Sequence, residues 1–131
     1  MAETDLNRLI AGMSPTLAPD VYVFTTSQAP PDITAAMRFE EAEGVTLITT
    51  RKAAEAAGLS YEFPCRMITL NVLSSLEAIG FIAAIATRLA AEGMGVNPVA
   101  GFHHDHIFVP EDRAHDALRV LIAMASDAHS S

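Results

Sequence analysis

Three imidazoles and a carboxylate stand side by side at His103-His104-Asp105-His106. Such groups could hold zinc or another transition metal through ring nitrogens and a carboxylate oxygen. Their spacing argues against a closed site within one chain. On an extended strand His104 and His106 point to one side, and His103 and Asp105 to the other. Two ligands on a side fall short of a tetrahedral set unless a partner chain supplies the rest. The residues read better as a polar hairpin whose histidines fix the turn or meet a ligand. Because imidazoles titrate near neutral pH, that contact would be pH-dependent. A metal-binding protein, or a metal-dependent enzyme, built on the His103–His106 hairpin is the alternative.

A second candidate is Ser74-Ser75-Leu76-Glu77-Ala78-Ile79-Gly80. Serines ahead of an apolar, helix-forming run mark a helix start. The unpaired amides and positive dipole end of such a start suit a carboxylate. Gly80 would let a ligand approach closely. The competing reading is ordinary capping by the serines, with Gly80 serving helix packing.

Catalysis finds little support. A nucleophilic Cys65 would need a histidine, an orienting group and an oxyanion site. Its place after Pro64, at the entry to a strand, reads as structural. Glu40, Glu41 and Glu43 read as a solvated face. Gly93-Met94-Gly95 lacks the lysine and glycine-rich context of a nucleotide loop. The chain is therefore read as not an enzyme.

These residues must be positioned by the elements around them. Leu6, Leu9, Ile10 and Met13 recur at helical spacing, with Gly12 as a stop. The prolines of Ser14–Asp20 end that helix. Val21–Thr26 and Val45–Thr49 read as strands, and Ala36–Glu41 as either a strand or a helical turn. Thr50 would cap a short helix ending at Gly58. Tyr61–Pro64 reads as a linker, and Arg66–Leu73 as a strand. A helix from about Leu76 to Glu92 would bury Ile79, Ile82, Ala86 and Leu89, with Phe81 and Ile85 on a flank. Val96–Phe102 and Ile107–Val109 read as strands. A last helix, from Glu111 to about Ala125, would pack Ala114, Ala117, Leu118, Leu121, Ile122 and Ala125 inward, and His129-Ser130-Ser131 would fray.

The 131 residues carry a net charge of −8, half of them are apolar, and Cys65 is the single cysteine. That balance offers a sizeable core and excludes a nucleic-acid surface or an anionic membrane as partner. It allows no internal disulfide, which fits a reducing cytoplasm. No basic, apolar leader is evident in residues 1–20. The longest apolar stretch, Ala78–Ala91, is shorter than the roughly 20 residues a membrane span needs.

The stretch from Arg66 to Leu121 resembles an ACT domain. Gly80 matches the glycine near the start of that family's first helix, and Asn97 the polar residue at the start of its second strand. Over nearly the whole length, the chain is similar to a family of small stand-alone ACT-domain proteins of unassigned function. The segments that carry this are Met13-Ser14-Pro15, Tyr22-Val23-Phe24, Glu43–Leu47, Gly58–Tyr61, Ser74–Gly80 and His103–Pro110.

The resemblance implies an α+β fold of two ferredoxin-like halves, with antiparallel sheets covered by helices on one face. Residues 1–62 would be a degenerate ACT-like half and residues 63–131 a fuller βαββα ACT domain. It further implies a non-catalytic regulatory module that binds a small molecule, an amino acid by the family's habit, and no cofactor. The ligand residues would be Ser74, Ser75, Leu76, Glu77, Ile79, Gly80, Asn97, His103, His104 and His106, and a homodimer is the expected assembly. A purely structural interaction domain, pairing through sheet edges or the Phe81/Ile85 flank, is a further alternative.

Overall fold

The computed structural model describes residues 5–130. Helix α1 (Leu6–Ala11) leads into the long strand β1 (Thr16–Ser27). Strands β2 (Met37–Glu41) and β3 (Gly44–Thr50) follow, then helix α2 (Arg51–Ala56) and strand β4 (Glu62–Thr69). Helix α3 (Phe81–Ala91), strands β5 (Asn97–Ala100) and β6 (Asp105–Pro110), a 3-10 turn (Glu111–Arg113) and helix α4 (Ala114–Ser130) complete the chain.

All six strands join one antiparallel sheet in the order β2-β3-β1-β4-β6-β5. The order is symmetric about its middle. β1 and β4 lie at the centre, each flanked by a hairpin pair, β3 with β2 or β6 with β5. Tyr22 pairs with Cys65 across the seam, and these two pair outward with Thr50 and Pro110. The helical segments that begin at the next residues, Arg51 and Glu111, meet in an ion pair of 3.2 Å.

The two faces of the sheet differ. On one, Ile68 and Leu70 from the β4 segment and Ile107 and Val109 of β6 form a buried cluster with Leu9 of α1, Phe81, Ile85 and Leu89 of α3, and Leu121 of α4. On the other, Ile48, Cys65 and Phe108 are buried among Tyr22, Phe24, Met37, Phe63, Met67 and Val99. Every member of that second cluster stands on a strand, and all six strands contribute.

This helix-free face is concave. Met37 of β2 and Val99 of β5, from opposite edges of the sheet, line one cavity of about 230 Å³. In a flat sheet five spacings of about 4.8 Å would hold those edges roughly 24 Å apart. The curl also brings Phe108 edge-on to Tyr22 and Phe24, with ring centres 5.7 and 6.1 Å apart across the intervening β4.

Several elements form as their residues dictate. Asp5 caps α1 by accepting from the Arg8 amide (2.9 Å), and Thr50 caps α2 by accepting from the Ala53 amide (3.2 Å). Gly58, at φ 69, lets the chain leave α2 left-handed. Ala36–Glu41 resolves as a strand from Met37, with Met37 opposite Ile48.

Other boundaries move. β1 begins at Thr16, inside the segment whose prolines end α1 and five residues before the expected strand start at Val21. Pro19 is accommodated because the pairing with β4 is interrupted between Leu17 and Val21. β4 starts at Glu62 and so takes in the expected linker except Tyr61. It ends at Thr69 because Asn71 turns left-handed (φ 41), its side-chain Nδ2 donating to the Ser14 carbonyl and to Thr16 Oγ1 (2.9 and 2.8 Å). β5 spans only Asn97–Ala100, and β6 begins earlier than expected, at Asp105. The last helix opens as a 3-10 turn and continues to Ser130, so His129 is helical, while Ser131 lies outside the described residues. Ile122 is half exposed rather than packed inward.

Candidate functional site

The largest correction falls on the Ser74–Gly80 segment. It is a loop, and α3 begins only at Phe81. Gly80 occupies the N-cap position with φ 89, a left-handed conformation that a β-carbon disfavours, and no side chain caps the helix. The amides of Phe81, Ile82 and Ala83 therefore open the helix without a capping acceptor; the first helical bond runs from the Ala84 amide to the Gly80 carbonyl (2.9 Å). α3 buries Phe81, Ile85 and Leu89; of the expected stripe Leu89 is buried, Ile82 packs partly buried against the core, and Ile79 lies before the helix. Ile79 is 86% exposed and Leu76 66%.

Both serines are occupied within the loop. Ser74 Oγ donates to Asp105 Oδ2 (3.0 Å), and Ser75 Oγ accepts from the Glu77 amide (3.1 Å). The Ser75 bond is local and competes with capping, the Ser74 bond reaches thirty-one residues along the chain, and together they explain why the helix starts late. The Ser74–Asp105 bond ties the loop to the β5–β6 hairpin, and just after β4 the Leu70 amide donates to the Asp105 carbonyl (3.0 Å). Glu77 is exposed, so the loop presents a carboxylate, two apolar side chains and an uncapped helix start together.

The histidines separate. His103 is exposed beside Phe102, with ring centres 5.1 Å apart. His104 Nδ1 is buried with no hydrogen-bond partner among the described residues. His106 shares a 2.9 Å hydrogen bond between Nδ1 and Thr69 Oγ1, and it faces the concave side of the sheet. Burial and the neighbouring His104 hold its pKa below the ordinary imidazole value, against an opposing pull from Asp105. Asp105 itself is buried against Ser74. Among the described residues no three His, Cys, Asp or Glu side chains gather as a metal would require.

Asn97 lies apart from the loop. β5 places it three residues from Ala100, the partner of Asp105, or about 10 Å along the strand. There it lines a separate cavity of about 430 Å³ with Phe24, Thr46 and Phe63. The structure thus brings together Ser74, Ser75, Leu76, Glu77, Ile79 and Gly80, with the hairpin tied alongside, and leaves Asn97 and His106 on the concave face.

Cys65 is fully buried, and its thiol donates to the Tyr22 carbonyl (3.3 Å). Burial pushes its pKa up to about 12, which keeps it a protonated thiol at neutral pH. Glu40 pairs with Arg38 and Glu41 accepts from Thr46 Oγ1, so the acidic run is an ordinary strand surface.

The concave-face residues Met37, Met67, Val99 and Phe108 escaped the sequence reading. The signal was present in the paired apolar residues Met67-Ile68 and Ile107-Phe108. Apolar side chains on both faces of a strand mean that both faces have something to cover.

Two family models, each described as an ACT domain, match residues 1–66 and 62–123. The chain belongs to the ACT-domain family, whose members are regulatory, ligand-binding modules. A Vibrio cholerae protein of unknown function, described as a possible transport protein, is 40% identical with a TM-score of 0.84, over 92% of this chain and 95% of that one. An Agobacterium tumefaciens protein is 12% identical (TM-score 0.73; 86% and 89% covered). The regulatory subunit of aspartate kinase from Thermus flavus is also 12% identical (TM-score 0.60; 84% and 95% covered). At 12% identity, these last two show the shared fold. No curated protein matches the chain. Among the described residues, no helix is long and apolar enough to cross a membrane.

Proposed function

We propose that the chain is a non-catalytic regulatory module that binds an amino acid at the Ser74–Gly80 loop, with a second copy of the chain closing over it. The observation that carries this is the uncapped start of α3 at Gly80, placed beside exposed Leu76, Glu77 and Ile79. The first-turn amides would receive the ligand carboxylate, and the helix dipole adds to the attraction. Glu77 would pair with the ligand ammonium. Leu76 and Ile79, left in water by the single chain, would be covered by the ligand side chain and the second copy. His103 and His104 lie on the hairpin tied to this loop. In this reading residues 1–62 form a degenerate unit and residues 63–131 the unit that carries the site.

The test is a thermal-shift screen of the full chain against the standard amino acids, with light scattering for size. A ligand at one hundred times its Kd adds about 2.7 kcal/mol to stability. One amino acid is expected to raise the melting temperature, and Glu77→Gln to weaken that response. No shift from any amino acid at millimolar concentration overturns the reading.

A further inference from the structure

We propose that the concave, helix-free face of the sheet is a second binding site, taking a small neutral ring compound that carries one hydrogen-bonding group. The cavity of about 230 Å³ is lined by Ala36, Met37, Met67, Val99, His106 and Phe108. It shares no residue with the Ser74–Gly80 loop, so it stands or falls independently of the amino-acid reading.

The lining sets the ligand class. No Asp, Glu, Lys or Arg side chain borders the cavity, so a charged ligand would lose hydration there without gaining a counterion. Two methionines and a phenylalanine make a soft wall that conforms to a flat ring. His106 is the one polar side chain. Thr69 engages its Nδ1, leaving Nε2 for one hydrogen bond, and burial favours the uncharged ring. The volume falls just below the 300–1,000 Å³ usual for drug-sized ligands, which points to a single or fused ring.

The curvature selects this occupant over others. A second copy docking through the same face would need a self-complementary patch, and two hollows placed face to face enclose a void. A partner helix, about 10–12 Å wide with its side chains, is broader than a cavity of about 230 Å³, which as a sphere would be roughly 8 Å across.

Indole is the probe. The chain has no tryptophan, so indole fluorescence can be followed without that background. Titration of the full-length chain with indole should give a saturable fluorescence change. Met37→Lys and Val99→Lys, one from each edge strand, should each weaken binding at least tenfold. Ile122→Lys, on an exposed stretch of α4, should leave it unchanged. Thermal melts identify variants that remain folded, and either wall variant alone suffices. A titration that never saturates overturns the proposal, as does indole binding that survives in a folded wall variant or falls equally in Ile122→Lys. A dimer that Val99→Lys splits, with no response to indole, overturns it as well.

Discussion

The two halves share a strand plan but differ in how they cross from the central strand to the edge strand. From β4 to β5 the chain passes through residues 70–96 and builds α3, whose Phe81, Ile85 and Leu89 enter the large core. From β1 to β2 it passes through residues 28–36 alone, without a helix. The first half covers its sheet with this short loop and α2, whose one buried residue is Ala54. Most of the buried apolar volume therefore belongs to the second half, with α1 from the start of the chain packed into it. The difference also limits function. A ligand held at the helix start that follows a central strand has such a start only in the second half.

The largest effect is expected from truncating a core side chain in α3. Leu89→Ala removes a fully buried side chain and should lower stability by about 2–5 kcal/mol, read by urea denaturation. A loss under 1 kcal/mol would mean that the second half does not carry the core.

The seam between the halves can be read through alkaline titration. The Cys65 thiol ionises near 9.0 when unfolded and near 12 when folded. A raised folded-state pKa contributes stability that is complete below pH 9.0 and is lost progressively above it, at most about 1.4 kcal/mol per pH unit. Denaturation curves between pH 8 and 11 should show this decline, and Cys65→Ala should flatten it. An identical slope in the variant would place the alkaline sensitivity elsewhere, for instance at Tyr22, whose pKa is also raised by burial.

Smaller effects are expected in the first half. Thr50→Ala removes the α2 cap and should cost about 1 kcal/mol by the same measurement. The Arg51–Glu111 pair joins the helical segments that follow β3 and β6, and its side chains are 37% and 39% exposed. A double-mutant cycle should return about 0–1 kcal/mol, because solvent screens it. A coupling well above that would mean the halves are held by charge as well as by the β1–β4 pairing.

Much of the fold was legible where the signal is local. Thr50, Val45–Thr49 and Gly58 mark a strand, a cap and a stop within a few residues of one another, and each forms as read. The spacing of Leu6, Leu9 and Ile10 likewise identified α1. The candidate loop was legible in composition and illegible in conformation. Ser74 and Ser75 look like helix caps, yet Ser74 bonds to Asp105, thirty-one residues later, and Ser75 closes a local turn. Because α3 starts late, Ile79 falls outside the helix and is exposed, and Phe81 is the first residue the helix buries. The histidines were equally ambiguous, since strand alternation assigned sides but did not reveal that Thr69 and Ser74 would claim His106 and Asp105.

By itself the sequence determined the α+β class, the periodic faces of most elements and the family pattern, because these depend on neighbours a few residues apart. Only the tertiary structure decided that six strands join one curled sheet, that Met37 and Val99 share a cavity, and that Gly80 opens α3 uncapped. Each of these depends on pairings between residues tens of positions apart. Their free energies are set by burial and curvature, which no local window contains.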